Sequence, residues 1–225
     1  MSNILLTSEV MMIVLIGSHK GGVGKSTKAA NIAVAVRHMT KKTIAMVGSD
    51  KLGCLKSWYA RRQDAGLPSF TFVEAYGDLR KELTELNKRY DIVLVDTAGH
   101  DSQEFRSALT VSDILLSPVK PSSQSEIDSI AALTETVRTA QEKHNPSLKA
   151  HLVFNRCSTR SGNTDATDLA NMLKSDEYWL QPTKQRIGER TVYVKTFNAG
   201  QGVHEAKDGQ AKGEIELLCH EVGIF

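Results

Sequence analysis

The sequence has few cysteines, a small net charge and no long apolar run, and each of these scarcities excludes a class of protein. The three cysteines, Cys54, Cys157 and Cys219, are far apart and form no CxxC pair, which predicts reduced, mostly buried thiols in a cytoplasmic protein rather than a metal or redox site. No stretch approaches the roughly 20 apolar residues of a membrane-spanning helix. The formal net charge of +2 does not by itself indicate a nucleic-acid-binding protein, so any DNA contact must come from a local patch.

The composition is that of a globular α/β protein. The chain has 225 residues, of which 40% are hydrophobic and 24% charged, enough for one domain with a sizeable core. The first ten residues lack the basic start and long apolar stretch of a signal peptide. We interpret residues 1–11 as a tail, or as the product of an upstream start codon, and residues 12–225 as a single domain.

Short apolar runs alternate with segments of helical period, which predicts a mostly parallel twisted sheet with helices on both faces. Ligands of such sheets lie at the carboxyl ends of the strands. The predicted strands are residues 12–17, 43–47, 70–73, 92–95, 113–119, 152–154 and 185–187. The predicted helices are residues 25–39, 52–64, 78–88, 126–142, 165–174, 190–197 and 212–222.

The segment HKGGVGKST, from His19 to Thr27, stands between the first predicted strand and helix, where a phosphate-binding loop belongs. Its glycines let backbone N–H groups turn towards phosphates, and the helix N-terminus adds a favourable dipole. We expect Lys25 to contact the β- and γ-phosphates and Ser26 to bind Mg²⁺. The general pattern has glycine where His19 stands. The candidate nucleotide-binding residues are Lys20, Gly21, Gly22, Val23, Gly24, Lys25, Ser26 and Thr27.

A second motif is the apolar run DIVLVDTAG, residues 91–99, in which a strand ends at Asp96. This pattern is typical of a Walker B strand, whose aspartate supports the metal ion. Read alone, the run is equally compatible with a buried strand and a turn aspartate. After a phosphate-binding loop it predicts a metal-supporting role for Asp96.

These two motifs resemble those of the ParA/MinD group of deviant Walker ATPases, and the resemblance extends over residues 12–222. The segment RTVYVKTFNAGQGVHEAKDGQAKGEIELL is similar to the small plasmid-partition ATPases of the ParF type. The resemblance implies a P-loop fold, slow hydrolysis of ATP with Mg²⁺ and a homodimer around two ATP molecules. It also implies that Lys20 reaches the partner's nucleotide, where it would act like an arginine finger; without the resemblance Lys20 would be a solvated loop lysine.

The same resemblance implies a DNA-segregation function. In this family, the ATP-bound dimer binds double-stranded DNA non-specifically, and an adaptor bound to the plasmid centromere stimulates hydrolysis. The protein would then be cytoplasmic and associated with the nucleoid. Phosphate contacts need only a basic patch. The candidate residues, which could equally form a solvated mixed-charge surface, are Lys184, Arg186, Arg190 and Lys195.

The segment that matches the family's aspartate pair, DxDPQ, departs from that pattern. Gly48 replaces the first aspartate and Lys51 replaces the proline. Asp50 matches the second aspartate, which in the family positions the attacking water. A helix N-cap is an alternative role for Asp50. The missing carboxylate predicts slow hydrolysis or weak magnesium binding.

Three further positions are assigned by the resemblance. Asn155 and Arg156 follow a strand whose end contacts adenine in the family, although a buried turn asparagine explains Asn155 equally well. Gly99 stands where the loop that senses the γ-phosphate begins, or is a plain turn glycine. Residues 119–122 resemble a segment near the nucleotide and the dimer interface.

The main alternative is an ATPase that positions another cargo or a membrane site, as MinD does. A MinD-like protein needs a basic amphipathic helix at its C-terminus. The C-terminal segment GEIELLCHEVGIF is acidic and short, so we expect no stable membrane anchor. A cargo other than a plasmid stays open, since only the adaptor would differ.

Overall fold

The computed structural model describes residues 11–121 and 124–225. The sequence-predicted tail therefore lies outside the described residues except for Met11, and so does the end of the 119–122 segment. The strands are β1 (Met12–Ile16), β2 (Ile44–Gly48), β3 (Thr71–Glu74), β4 (Ile92–Asp96), β5 (Ile114–Val119), β6 (Lys149–Phe154) and β7 (Gln181–Pro182). The helices are α1 (Lys25–Met39), α2 (Cys54–Asp64), α3 (Arg80–Asn87), α4 (Gln103–Leu109), α5 (Gln124–Lys143), α6 (Asp165–Lys174), α7 (Thr191–Asn198) and α8 (Gly209–Val222).

All strand pairs are parallel, and the seven strands lie in the order β3-β2-β4-β1-β5-β6-β7. This confirms the predicted fold class. β4 lies between β1 and β2, and Asp96 at its end pairs with Ile16 of β1 and with Gly48 of β2. The carboxyl ends of these three strands carry the phosphate-loop motif, the Asp50 segment and the Walker B aspartate. The topology therefore gathers all three at one edge of the sheet.

Two apolar cores cover the two faces of the sheet. α1, α2, α7 and α8 pack on one face, and α3 to α6 pack on the other. α1 is the central helix of its layer, because every residue from Lys28 to Val36 is buried. The predicted inward residues of α3, Leu79, Leu83 and Leu86, are buried in the opposite core. In the described part of the chain, no helix combines the length and apolar character needed to cross a membrane.

The prediction of a last strand at residues 185–187 is wrong, because β7 lies at Gln181–Pro182. The Glu221 carboxylate of α8 accepts hydrogen bonds from the backbone N–H groups of Lys184 and Gln185, at 2.6 and 2.9 Å. These donors are therefore not available to β6. The chain returns to the sheet edge only at Ile187, whose N–H donates to the carbonyl of Phe154 at 2.8 Å.

The start of α2 also differs from the prediction. The helix begins at Cys54 rather than at residue 52, because Gly53 adopts the left-handed conformation with φ 65°. The Asp50 carboxylate accepts the N–H of Leu52 at 2.9 Å, so it closes a turn before the helix and is not its N-cap. Cys157 and Cys219 are buried and Cys54 is exposed, in agreement with the expectation of mostly buried thiols.

Candidate nucleotide-binding site

A cavity of about 540 Å³ opens at the carboxyl ends of β1, β2 and β4. Its walls come from the phosphate loop, the β2–α2 segment, the loop after β4 and the last turn of α7. The lining residues include Gly21, Gly22, Gly24, Lys25, Ser26, Thr27, Ser49, Asp50, Lys51, Ala98, Gly99, His100, Glu104, Arg156 and Phe197. Most of the sequence-predicted nucleotide residues therefore face one cavity.

The phosphate loop turns as its glycines allow. Gly22 and Gly24 have φ angles of 74° and 97°, a region that side chains other than glycine rarely adopt. Gly24 is the residue that precedes α1, and no side chain of the described residues caps this helix end. The backbone N–H groups in the first turn of α1 are therefore available to bind an anion, whose negative charge the helix dipole also favours.

The Lys25 ammonium group lies within the curl of the loop. Its Nζ is 3.2 Å from the carbonyl oxygen of Lys20 and 3.5 Å from Ser18 Oγ. Burial lowers the pKa of Lys25, and the nearby carboxyl groups of Asp96 and Asp50 oppose this effect. A partly desolvated cation held by one carbonyl and one hydroxyl is suited to bind an incoming phosphate.

The Asp96 carboxyl group is buried close to Ser26, Lys25 and Asp50, although it does not itself line the cavity. Among the described residues, neither of its oxygens has a hydrogen-bond partner of good geometry. Burial raises the pKa of Asp96 to about 7, and the nearby Asp50 adds to this, whereas Ser26 and Lys25 act in the opposite direction. Orphaned carboxylate oxygens beside a serine hydroxyl are a donor set for a hard divalent cation. The residues present therefore fit Mg²⁺.

The structure gives a physical reason for the glycine at position 48. A Cβ built on Gly48 would lie 2.9 Å from Cζ of Phe72 on the neighbouring strand β3. The Phe72 ring therefore occupies the space that the first family aspartate would need. Asp50, two residues later, lines the cavity and is the carboxylate that the β2 end supplies to the site.

Asn155 and Arg156 have different positions relative to the cavity. The Asn155 side chain is buried behind the phosphate loop, where its Nδ2 donates to the carbonyl of Val23 at 2.6 Å. A Cβ on Gly24 would lie 2.5 Å from the same nitrogen, so glycine at this position leaves room for the hydrogen bond between Asn155 and Val23. Arg156 lines the cavity and has a positive φ of 53°. Asn155 thus holds the loop, while Arg156 faces the space for a ligand.

The loop after β4 packs directly on the phosphate loop. A Cβ on Gly99 would lie 2.5 Å from Cα of Gly21, so only glycine permits this approach. Sequence reasoning did not single out Ser18, His100, Glu104 or Phe197 as site residues. Ser18 directly precedes the motif, so the sequence could have indicated it. Phe197 could not have been predicted, because it reaches the cavity from α7 through tertiary packing alone.

Comparison with known proteins shows what the chain is similar to. Residues 69–150 match the AAA_31 family, described as an AAA domain. Maintenance of carboxysome distribution protein A from Halothiobacillus neapolitanus is 27% identical over 96% of this chain and 99% of its own length. Protein ParA from Rhizobium radiobacter is 25% identical, over 89% of this chain and 88% of its own. The solved complex of Cyanothece McdA with ATP shares the fold, with a TM-score of 0.73 at 16% identity over 95% of this chain and 96% of that chain.

The chain is similar to the ParA/MinD-type Walker ATPases, as its two motifs predicted.

The candidate DNA-binding residues of this ParA/MinD-type ATPase are not equivalent. Lys184, Arg186 and Lys195 are exposed. Arg190 is half-buried, and its guanidinium pairs with the Glu214 carboxylate at 2.9 Å. This pairing raises the pKa of Arg190 and holds its charge against α8, so Arg190 is the least available of the four for a phosphate.

Proposed function

We propose that this ATPase binds ATP with Mg²⁺ in the cavity and uses slow hydrolysis as a switch between assembly states. The observation that carries the proposal is the buried Asp96 carboxylate, with two orphaned oxygens, close to Ser26 and Lys25. An unpaired buried carboxylate is costly, and a bound cation supplies the missing partner. The similarity to a relative solved as an ATP complex supports the choice of nucleotide.

Each motif residue has a role in this proposal. The N–H groups of Gly21, Gly22, Val23, Gly24 and Thr27 hold the phosphates, and Lys25 neutralises them. Ser26 and Asp96 hold Mg²⁺, which when bound neutralises charge on the phosphate oxygens. Asp50 orients the attacking water, and Arg156 faces the nucleoside. In a homodimer formed on ATP, Lys20 contacts the partner subunit's nucleotide.

We propose DNA segregation as the biological role. The ATP-bound dimer binds non-specific double-stranded DNA through Lys184, Arg186 and Lys195 and is nucleoid-associated in the cytoplasm. An adaptor bound to a plasmid centromere stimulates hydrolysis and releases the dimer. The relative named Protein ParA and the similarity of the C-terminal segment to partition ATPases support this role.

A second candidate is the positioning of another large cargo by the same switch. The relative named for carboxysome distribution, which aligns with 96% of this chain, favours it. A membrane site is less well supported, because α8 buries Ile215, Leu218, Cys219 and Val222 in the core and so has no apolar face left for lipid.

The nucleotide part of the proposal is tested with two lysine variants and a control. Lys25→Ala should abolish binding of a fluorescent ATP analogue, while Lys20→Ala should bind it but fail to dimerise or to hydrolyse ATP. The exposed Lys41, between α1 and β2, is the matched control, and Lys41→Ala should behave as the wild type. Normal ATP binding by Lys25→Ala would refute the phosphate-loop assignment, and full activity of Lys20→Ala would refute the role across the dimer.

A plasmid-stability assay distinguishes plasmid partition from the positioning of another cargo. The gene and its flanking DNA are placed on an unstable test plasmid, and plasmid loss is counted with wild-type protein and with Lys25→Ala. Retention that requires wild-type protein supports plasmid partition. Equal loss with both proteins contradicts partition and supports another cargo.

A further inference from the structure

His19 stands in the phosphate loop at the position where the general motif has glycine. Its ring packs edge-on against Phe105 of α4, with ring centroids 5.4 Å apart. Its Nε2 is buried and has no hydrogen-bond partner in the part of the chain that the structure describes. The nearest carboxylate oxygen, Asp101 Oδ1, is 3.9 Å away. That distance is within ion-pair range but about 1 Å too long for a hydrogen bond.

His19 belongs to a close contact between two loops. A Cβ on Gly17 would lie 2.5 Å from the Phe105 ring, and a Cβ on Gly99 would lie 2.5 Å from Gly21. The phosphate loop and the segment from β4 to α4 therefore touch on both sides of His19. This contact leaves no room for a side chain at Gly17 or Gly99, so a displacement of one segment is transmitted to the other. Among these contacts between described residues, the His19–Asp101 pair is the one that can change its charge.

The charges around His19 come from the loop after β4 and from α4. Asp101 accepts hydrogen bonds from Arg106 Nε and Nη2, at 2.7 and 2.6 Å, so its carboxylate is shared. Burial lowers the pKa of His19 most, Asp101 raises it and Arg106 lowers it. Phe105 contributes an apolar ring. His19 is thus neutral near pH 7 while the 3.9 Å gap stays open.

We propose that His19 is a positioning residue that fixes, through Asp101, how closely the loop after β4 approaches the phosphate loop. The His19–Asp101 gap closes to a hydrogen bond when a nucleotide with its γ-phosphate occupies the site. Asp101 follows Ala98 and Gly99, which line the cavity, so its position sets theirs. The consequence for hydrolysis rests on the proposed function, whereas the coupling of His19 to Asp101 does not.

The coupling is measured by NMR titration of the histidine ring protons. In nucleotide-free protein, Asp101→Asn should lower the pKa of His19 and Arg106→Gln should raise it. His151 of β6 serves as the internal control, because the charges that act on its pKa are Glu221 and Lys149, neither of which is substituted. A His19 pKa that is indifferent to Asp101→Asn overturns the pairing, even if the protein never binds ATP.

The closure is measured by adding Mg²⁺ and a non-hydrolysable ATP analogue. The pKa of His19 should rise by about half a unit or more in the wild type and clearly less in Asp101→Asn. An equal rise in both proteins overturns the proposal, because the phosphate charge alone then explains it. No rise in the wild type, with binding verified in the same sample, also overturns it. Absence of binding instead refutes the proposed function.

Two substitutions separate positioning from packing. His19→Gln keeps an N–H donor near Asp101, whereas His19→Leu keeps only the bulk. We expect His19→Leu to lower kcat about fivefold or more with an unchanged Kd for the ATP analogue, and His19→Gln to stay within about twofold of wild type. Adding Asp101→Asn to His19→Leu should cause no further loss. Equal kcat for Gln and Leu would show that His19 only fills space.

Discussion

At the scale of single residues, the ATPase site contains ionisable groups whose charged forms are disfavoured by burial. Asp96 and Lys25 are buried close to each other, and Lys25 lines the cavity. Lys28, one helical turn later on α1, is buried as well, and its Nζ lies 4.5 Å from the centroid of the Tyr193 ring. Each of these charges costs free energy in the nucleotide-free protein. In the proposed function, bound phosphate and Mg²⁺ would offset the cost at Lys25 and Asp96, but not at Lys28.

Asp96→Asn should stabilise the nucleotide-free protein while abolishing Mg²⁺-dependent hydrolysis. The folded-state pKa of Asp96 is raised to about 7, so folding loses stability as pH rises from about 4 to 7 and stays reduced above that. The loss is on the order of a few kcal/mol. Thermal melts at pH 8 without metal should show a higher Tm for Asp96→Asn, and melts at pH 4 should show little difference. A lower Tm at pH 8 would contradict the account of Asp96.

Lys28→Met should stabilise the protein at neutral pH. Burial lowers the pKa of Lys28 to about 7, below its ordinary value of 10.5, so the folded protein disfavours the charge that the unfolded chain carries. The destabilisation is complete below pH 7 and disappears as pH rises towards 10.5. Urea unfolding at pH 6.5 should therefore show a gain on the order of a few kcal/mol that shrinks at pH 9.5. A gain that does not change with pH would indicate packing rather than charge.

Sequence predicted those site residues that form contiguous motifs. The phosphate loop from Gly21 to Thr27 could be assigned from its spacing and its place between a strand and a helix, and Asp96 because it follows such a loop. The role of Lys20 came from the resemblance alone, and all of these roles stay predictions. The hydrogen bond between Asn155 and Val23 could not be predicted, since the two residues are 132 positions apart and only the fold brings them together. The ion pair between Arg190 and Glu214 could not be predicted from the sequence either, because α7 and α8 meet only in the folded protein.

At the scale of elements, one buried arginine fastens the C-terminal segment to α2. Arg62 has no exposed surface and donates to the carbonyls of Pro68 and Gly200 and to both carboxylate oxygens of Glu205. Gly200 has φ 70°, and a Cβ there would lie 2.4 Å from the backbone nitrogen of Arg62. This junction holds α7, whose last turn supplies Phe197 to the nucleotide cavity.

Glu205→Ala should destabilise the protein by about 3 kcal/mol, because it leaves the Arg62 guanidinium buried without its carboxylate. The matched control is Glu85→Ala, which breaks the exposed ion pair with Lys88 and should leave the urea midpoint unchanged. Equal effects of the two substitutions on the urea midpoint would mean that the Arg62–Glu205 pair is not a structural anchor.

Alternation of apolar strands and periodic helices was enough to predict most elements, because both sheet faces are covered and β1, β2, β4 and β5 are therefore mostly apolar. α1 and α6 begin and end as predicted. α4 was missed because it has only 7 residues, although Ser102 caps it through a hydrogen bond from the Phe105 N–H. β7 was misplaced because the Glu221 side chain of α8, which no local pattern reveals, takes the backbone donors of residues 184 and 185.

At the scale of the whole molecule, the proposed switch requires a surface that binds DNA only in the ATP state. Simultaneous replacement of Lys184, Arg186 and Lys195 by Gln should weaken DNA binding and reduce the slope of log K against log salt by about 0.9 for each DNA phosphate that the protein no longer neutralises. Arg190 is left intact because Glu214 holds it. The control replaces Lys41, Lys81 and Arg89, which are also exposed. Equal weakening by both sets would indicate a net-charge effect and not a defined patch.

The most direct test of the central claim is binding of non-specific double-stranded DNA with ATP, with ADP and without nucleotide, each at two salt concentrations. The account predicts binding that requires ATP, weakens at the higher salt and is absent in Lys25→Ala. Binding that is equal in all three nucleotide states, or absent in all of them while ATP is hydrolysed, would contradict a DNA-tethered ATP switch.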